Sequence, residues 1–263
     1  RTLKWLKQEG IEDVREAQFL KFSISIDEKY GLLLNLDFDK NDTKSCTVRI
    51  HGATHVNGKY ENALRFNGIN SYVEVSDKPA LNFGANQDFT IMFWVKASPA
   101  EEEVTEVLLD KRGIGLSLQP GYAILTPYTD LDMIQCYIDD GTNIIVLSAD
   151  GVRDGRWHHI AVSADRDGDA VLYVDGEERD RKSITAVGNI SNTYNLTIGR
   201  ATNGGRHFKG IIDEVRIYNR TLSEREILGY VFKDVIEIFK NTTYFKMVYE
   251  YNHNIYIFIV NPK

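Results

Sequence analysis

From Leu32 onward, the sequence is a succession of short apolar runs separated by turn-forming residues, and this pattern constrains the fold more than any other feature. Runs of this length are typical of strands, and hardly any helical periodicity interrupts them. Many short strands with little helix indicate two antiparallel sheets packed face to face, as in a β-sandwich or jelly roll. We predict strands over 32–38, 63–66, 72–75, 89–96, 106–110, 115–119, 133–138, 144–148, 158–164, 170–174, 195–198 and 211–218.

Two local motifs predict a turn and a helix within this pattern. Asp175-Gly176 follows the apolar run Val171–Val174 and precedes a charged segment, which indicates a hairpin closed by a two-residue turn. Ser223 and Glu226 have the spacing of a capping box, in which each side chain binds a backbone N–H of the other residue, so we expect a helix to begin here. The apolar face of this helix consists of Ile227, Leu228 and Val231.

The composition is that of a globular protein and excludes several classes of partner. Of the 263 residues, 43% are apolar, which is enough to form a core and excludes a disordered chain. The net charge is −7 and no basic run occurs, so nucleic acid and anionic membrane surfaces are poor partners. No apolar run approaches the ~20 residues that a membrane-spanning helix needs.

Several features favour an extracellular or cell-surface protein. The two cysteines, Cys46 and Cys136, are too few for a disulfide framework or a zinc site, although one bridge between them is compatible with the sequence. The chain begins with Arg1 rather than Met, which favours a processed or truncated product. Five sequons predict N-glycosylation at Asn41, Asn189, Asn195, Asn219 and Asn241.

The two ends of the chain have patterns of their own. We predict a helix over 1–20, a strand over 19–26, and a hairpin whose strands span 244–251 and 255–260. The second hairpin strand is apolar on both faces and needs cover, because an exposed apolar edge recruits other strands. We expect these ends to dock on each other or on the central domain, with self-assembly through them as the alternative. The expected organisation is an extension over 1–30, a jelly roll over 31–230 and an extension over 231–263.

Eight segments that follow one another in a fixed order resemble a known family. They include Gly155-Arg156-Trp157-His158-His159 and Leu172-Tyr173-Val174-Asp175-Gly176, and together they span 36–39, 59–68, 70–75, 89–96, 155–162, 172–176, 198–200 and 208–223. In this order they resemble the laminin G-like, concanavalin A-like jelly roll of the lectin/glucanase superfamily. The resemblance implies an all-β, antiparallel two-sheet fold over about three quarters of the chain.

The resemblance also implies a structural calcium ion near the rim of the sandwich. Carried over by position, the side-chain ligands are Asp39, Asn70 and Asp213, with a backbone carbonyl from Asn67 or its neighbour. Carboxylate, amide and carbonyl oxygens are the ligands that calcium takes in proteins. The alternative is a hydrogen-bonded polar cluster that ties the loops together without a metal.

The sequence predicts no catalytic site. A retaining glycosidase needs two carboxyl groups ~5 Å apart, and no Glu-x-Asp-x-x-Glu run occurs. Asp213 and Glu214 are adjacent on a predicted strand, so we expect them on opposite faces. The same rule separates His158 from His159, and the acidic run 101–103 is predicted to be a solvated loop.

Two segments combine aromatic and polar residues as sugar-binding loops do. The first extends from Tyr122 to Tyr128, and the second contains Asn203 and Arg206. The leading hypothesis is therefore a non-catalytic extracellular recognition or adhesion module that binds carbohydrate or a surface glycoprotein. Two alternatives remain open at the level of sequence: the head domain of a pilin-like surface filament, and an accessory module of a polysaccharide-degrading enzyme.

Overall fold

Two antiparallel sheets packed face to face form the body of the protein, as the strand pattern predicts. The structure is a computed structural model that describes residues 29–39, 48–98, 104–113, 118–128, 130 and 132–233, and the backbone of 245–251 and 254–259. Its strands are β1 Leu32–Leu36, β2 Val48–His51, β3 Thr54–Asn57, β4 Asn62–Asn67, β5 Tyr72–Val75, β6 Phe89–Lys96, β7 Glu106–Asp110, β8 Gly121–Thr126, β9 Ile134–Asp139, β10 Ile144–Ala149, β11 Trp157–Ala164, β12 Asp169–Val174, β13 Glu177–Ser183, β14 Leu196–Ile198, β15 Lys209–Tyr218, β16 Phe245–Tyr251 and β17 Asn254–Ile259, and helix α1 is Glu224–Val231.

Each sheet is assembled from strands that are distant in sequence. The first sheet has eight strands in the order β13-β12-β11-β6-β15-β4-β3, with β1 also paired to β15. The second has seven strands in the order β10-β9-β8-β7-β14-β5-β2. The all-β, two-sheet jelly roll is therefore confirmed, whereas the predicted N-terminal helix over 1–20 and strand over 19–26 lie outside the described residues.

The main core lies between the two sheets and follows the alternation of their strands. Phe66, Val95 and Ile212 lie on neighbouring strands of the first sheet and are almost fully buried. Phe83 and Phe89 stack at 4.5 Å between ring centroids within the same core. Residues between these core positions lie on the outer face of the sheet, because successive side chains of a strand point to opposite faces.

Helix α1 covers part of that outer face and creates a second, smaller core. Ile227 and Tyr230 of the helix pack there with Met92 of β6 and Tyr173 of β12. The predicted capping box is present: Ser223 N donates to Glu226 Oε2 at 2.9 Å, and Glu226 N donates to Ser223 Oγ at 3.4 Å.

The predicted hairpin turn is also present. Asp175 and Gly176 have φ of 55° and 85° and join paired residues Val174 and Glu177. Glycine is required at the second position, because a Cβ there would lie 2.4 Å from Leu228 Cδ2 of the helix.

The hairpin predicted near the C-terminus is confirmed by the pairing of β16 with β17. The jelly roll belongs to a compact unit of residues 26–231, and the hairpin belongs to a second unit. Docking or self-assembly of the terminal segments stays a prediction. Within the described part of the chain, no helix has the length and apolar character that crossing a membrane requires.

Candidate functional site

A groove of about 930 Å³ opens at one end of the sandwich, where strands of both sheets and one long loop meet. Its lining combines cationic, polar and apolar side chains from several distant parts of the sequence. The lining residues are Arg65, Phe66, Asn67, Gly68, Ile69, Lys96, Ser98, Val104, Thr105, Glu106, Arg153, Arg206, His207, Lys209, Gly210 and Ile211.

The pairing of three strands places cationic side chains on one wall of the groove. Ile211 of β15 lies between Arg65 of β4 and Lys96 of β6 in the register of the first sheet. Their sequence neighbours Phe66, Val95 and Ile212 belong to the main core, so Arg65, Lys96 and Ile211 lie on the outer face. Because strands in a sheet are ~4.8 Å apart, the backbones of Arg65 and Lys96 lie ~10 Å from each other.

The loop 201–207 supplies Arg206 and is held by its own backbone. Ala201 N donates to Gly205 O at 2.9 Å, and Asn203 Oδ1 accepts from Gly205 N at 3.2 Å. Arg206 has a φ of 57°, and its carbonyl accepts from Val107 N at 2.9 Å. Of the predicted loop residues, Arg206 therefore lines the groove, and Asn203 stabilises the loop that presents it.

A neutral ion pair forms the base of the groove. Arg153 Nη1 contacts Glu106 Oε2, and both side chains are almost fully buried. Arg153 also donates to Ser98 O and to Thr126 Oγ1, at 3.1 Å each. This pairing cancels the charge of the one carboxylate among the described lining residues.

Exposed apolar side chains and one buried nitrogen without a hydrogen-bond partner among the described residues accompany the cations in the lining. Ile69 is 75% exposed and Val104 is 43% exposed, which gives the groove apolar walls. His207 Nδ1 is buried and has no hydrogen-bond partner within the described residues. A concave lining of apolar walls with a few convergent polar groups is typical of a ligand site.

The four residues predicted to bind calcium fall into two separate groups. Asp39 Oδ1 accepts from Asn62 N at 2.6 Å, whereas Asn67 lies at the other end of β4, ~17 Å from Asn62. Asn67 Nδ2 donates to Asn70 Oδ1 at 2.8 Å, and Asn67 Oδ1 accepts three backbone N–H groups of its own turn. The four residues therefore do not surround one ion, whose ligands would all lie within ~2.6 Å of it.

Asp39 and Asp213 do meet at one turn, residues 58–62. Asp213 Oδ2 accepts from Lys59 N at 2.9 Å and from Tyr60 N at 3.1 Å. Asp213 Oδ1 is buried without a partner among the described residues. No cluster of three or more His, Cys, Asp or Glu side chains suited to a metal occurs in the part of the chain that the structure describes.

Asp213 and Glu214, which strand alternation predicts on opposite faces, lie at an irregularity of β15. A β-bulge with φ of 53° at Glu214 interrupts the alternation, and both carboxylates are buried. Burial and the nearby charge of Glu214 raise the pKa of Asp213 to about 7. Glu214 forms an ion pair with Arg216. Because neither carboxylate reaches solvent, the pair does not face a substrate.

His159, Trp94 and Asp213 occupy neighbouring positions on β11, β6 and β15. The rings of His159 and Trp94 meet edge to face at 5.2 Å. Burial lowers the pKa of His159 to about 3, and its Nδ1 has no partner among the described residues. Lys59 Nζ lies 4.7 Å from the Trp94 ring, so the turn 58–62 covers this row.

The structure corrects the first predicted sugar-binding segment. Tyr122 lies in strand β8 and not in a loop; its side chain is 1% exposed, and its hydroxyl donates to Leu81 O at 3.2 Å. Tyr128 is exposed, but it does not line the groove. Most of the predicted strand over 115–119 lies outside the described residues, and the next strand along the chain is β8, which contains only buried residues.

The glycosylation and cysteine predictions concern residues on several surfaces. Asn189 and Asn219 are exposed, whereas Asn195 is half-buried and its Oδ1 accepts from Asp77 N at 2.9 Å. Cys136 is a free, buried thiol, and burial raises its pKa to about 12. Asn41, Cys46, Asn241 and the acidic run 101–103 lie outside the described residues.

Sequence reasoning missed most of the groove. Arg65, Lys96 and Lys209 belong to three different strands, and only the register of β4, β15 and β6 shows that they share a wall. The period-two alternation places each on the outer face of its strand. It does not show which strands are neighbours.

Known proteins share both the sequence pattern and the fold. The chain is 25% identical over 189 residues to Paraclostridial mosquitocidal protein 1 of Paraclostridium bifermentans, a match that covers 67% of this chain and 15% of that protein. The crystal structure of the binding domain of that protein superposes with a TM-score of 0.66 at 20% identity, over 78% of this chain and 52% of the domain.

Two structures of botulinum neurotoxin binding domains have the same fold. The serotype D domain in complex with N-acetylneuraminic acid gives a TM-score of 0.60 at 13% identity, over 73% of this chain and 47% of that one. The DC domain in complex with rat synaptotagmin II gives 0.63 at 12% identity, over 77% and 51%. The chain thus spans about half the length of these binding domains.

Residues 67–228 match the family model described as the concanavalin A-like lectin/glucanases superfamily. The similar structures are those of binding domains, and the likeness to them shows a shared fold. Because the family model covers more than half of the chain, the protein belongs to the concanavalin A-like lectin/glucanases superfamily.

Proposed function

We propose that this chain is a non-catalytic recognition module that binds carbohydrate or a glycoprotein on the surface of a target cell. The observation that carries the proposal is the match of 67% of the chain to Paraclostridial mosquitocidal protein 1, whose binding domain has the same jelly roll. A module that acts at a cell surface has to be extracellular, in agreement with the localisation expected from the sequence.

The ligands of the similar domains suggest two kinds of receptor. One of those domains binds N-acetylneuraminic acid, and another binds synaptotagmin II. The groove offers cationic groups, polar groups and apolar walls, a combination that suits a sugar or a glycosylated segment of protein. We therefore assign receptor recognition to the groove.

The two alternative functions gain no support from these similarities. The similar proteins reported above are toxins, and neither a surface filament nor a polysaccharide-degrading enzyme is among them. Recognition of a target cell also needs no metal and no paired carboxylates.

Binding of the fluorescently labelled chain to intact cultured cells tests the proposal. We expect saturable binding that competes with unlabelled chain and falls after the cells are treated with protease or with glycosidases. The heat-denatured chain serves as the control for adhesion without folding. Absence of saturable binding to a panel of insect and vertebrate cells contradicts the proposal.

A further inference from the structure

The groove carries a positive charge that the whole chain does not share. Among the residues that the structure describes, its lining contains five cationic side chains and one carboxylate, whereas the net charge of the chain is −7. The five cations are Arg65, Lys96, Arg153, Arg206 and Lys209. A concentration of one sign of charge in a concave site raises the local concentration of ligands of the opposite sign.

The cations available to a ligand are those that solvent reaches, whereas Arg153 is almost fully buried. Arg153 is neutralised by Glu106 in the buried ion pair. The side chains of Arg65, Lys96 and Arg206 have no hydrogen bond or ion pair within the described residues, and Arg65 and Arg206 are exposed. Cations without internal partners are free to bind an external anion.

The groove also contains apolar side chains and hydrogen-bonding groups that can contact the uncharged part of the same ligand. Ile69 and Val104 provide apolar contacts beside the cations. Thr105 adds a polar group, and the unsatisfied Nδ1 of His207 is a further hydrogen-bonding atom. Sugar rings present apolar faces and hydroxyl groups together, so this mixture fits them better than it fits a simple inorganic anion.

We propose that the groove binds an acidic oligosaccharide, whose carboxylate or sulfate groups contact Arg65, Lys96 and Arg206. This inference rests on the proposed recognition function and specifies its ligand. Arginine binds planar oxyanions with two parallel hydrogen bonds, which favours it for such groups.

A flat anionic membrane is a poorer occupant of the same site. The cations lie in a concave groove, and the chain as a whole is acidic, so a bilayer surface repels most of the protein. An oligosaccharide enters the groove as a narrow chain and does not approach the rest of the surface.

Calorimetric titration of the full chain with two acidic oligosaccharides and their neutral counterparts tests the inference. The acidic probes are a heparin-derived oligosaccharide and a sialylated oligosaccharide, and the neutral ones are the desulfated, carboxyl-reduced form of the first and the desialylated form of the second. We expect binding of at least one acidic form, at least about tenfold tighter than its neutral counterpart. Sulfated and sialylated probes separate the two sources of negative charge. Equal binding of the neutral forms overturns the inference, as does binding to vesicles of anionic phospholipid with none to any oligosaccharide.

A pair of matched variants locates the site. Arg65→Gln/Arg206→Gln removes two groove cations, and Arg179→Gln/Lys182→Gln removes two cations from strand β13 at the edge of the first sheet. Because the net charge changes equally, a general electrostatic effect weakens both variants alike, which overturns the assignment to the groove. We expect at least about tenfold weaker binding for the groove variant alone, since it loses two charged hydrogen-bond donors to the ligand.

The cell-binding assay separates this inference from the function on which it rests. Saturable cell binding by a chain that binds no acidic oligosaccharide in the titration leaves receptor recognition intact and refutes the acidic-oligosaccharide site. If the wild-type chain does not bind cells, the proposed function is refuted. The titration with purified oligosaccharides then still decides whether the groove binds them.

Discussion

At the scale of single residues, Asp213 and His159 are two buried groups whose proton affinities are shifted in opposite directions. Burial raises the pKa of Asp213 to about 7 from an ordinary value of 3.8, and burial lowers the pKa of His159 to about 3 from 6.5. Both are therefore neutral in the folded protein over the mildly acidic range. The stabilising contribution of Asp213 is complete below its ordinary pKa and is lost as pH rises through 7. That of His159 is complete above 6.5 and is lost as pH falls through 3.

These opposing contributions predict a pH dependence that single variants expose. In the wild type they offset each other between pH 4 and 6.5. Asp213→Asn keeps an oxygen acceptor for the N–H groups of Lys59 and Tyr60 but loses the titration. We expect its free energy of unfolding, relative to the wild type, to decrease as pH falls from 7 to 4, by at most about 1.4 kcal/mol per pH unit.

Urea unfolding across this pH range measures the effect. His159→Gln serves as the opposite case, because its relative stability should increase as pH falls. Parallel pH profiles for the wild type and both variants would show that neither group is shifted.

His158, the neighbour of His159, forms a separate pH-sensitive contact. Its Nδ1 lies 2.8 Å from Asp175 and its Nε2 lies 3.0 Å from Asp154, and hydrogen bonding to Asp175 raises its pKa. Since a raised histidine pKa stabilises the protein at low pH, this contribution is lost as pH rises above the raised value. His158→Gln should therefore remove part of the stability at pH 6 and less at pH 9, as thermal denaturation at the two pH values would show. A deficit that is equal at both would contradict the charged contact.

At the scale of the elements, sequence patterns identified the buried strands well and the exposed ones poorly. The predicted bounds of β5, β6 and β7 are those of the structure. Each of these strands is a short run with several buried apolar residues, which is the pattern that predicts a strand. Strands β2 and β3 were missed, since their side chains are largely exposed and show no apolar alternation. The aromatic residues Tyr122 and Tyr128 predict a ligand-binding loop where strand β8 begins. Only the packing of the folded chain distinguishes the buried Tyr122 from an exposed, ligand-binding tyrosine.

The capping box of α1 provides a test at this scale. Ser223→Ala removes the side-chain acceptor for the N–H of Glu226, so we expect a loss of about 1 kcal/mol in the free energy of unfolding. Ser223→Thr, which keeps the hydroxyl, should lose much less. Equal losses for the two variants, measured by urea denaturation, would show that the cap does not stabilise the helix.

At the scale of the whole molecule, the fold concentrates positive charge that the sequence disperses. No basic run occurs along the chain, yet Arg65, Lys96, Arg206 and Lys209 line one groove. The sequence predicts Arg206 and Asn203 as sugar-binding residues, because they share a loop with aromatic and glycine residues. The other cations depend on the pairing of β4, β15 and β6, which is non-local and has no signature in any one segment.

This concentration of charge makes binding to the groove depend on salt. Because acidic oligosaccharides approach through the field of several groove cations, their affinity should fall steeply as the ionic strength rises past 0.15 M. Titration at several salt concentrations measures the slope. The groove variant should show a smaller slope than the wild type and the β13 variant, whereas equal slopes for all three would place the contact elsewhere.

The central claim, that the groove recognises a receptor, is tested most directly by amide chemical-shift mapping. The isotopically labelled chain would be titrated with glycans and glycopeptides released from cells that bind it. The account predicts the largest shifts at Arg65, Lys96, Arg206 and His207, which line the groove. Shifts confined to other surfaces, such as β13 or the outer face of the second sheet, would contradict it.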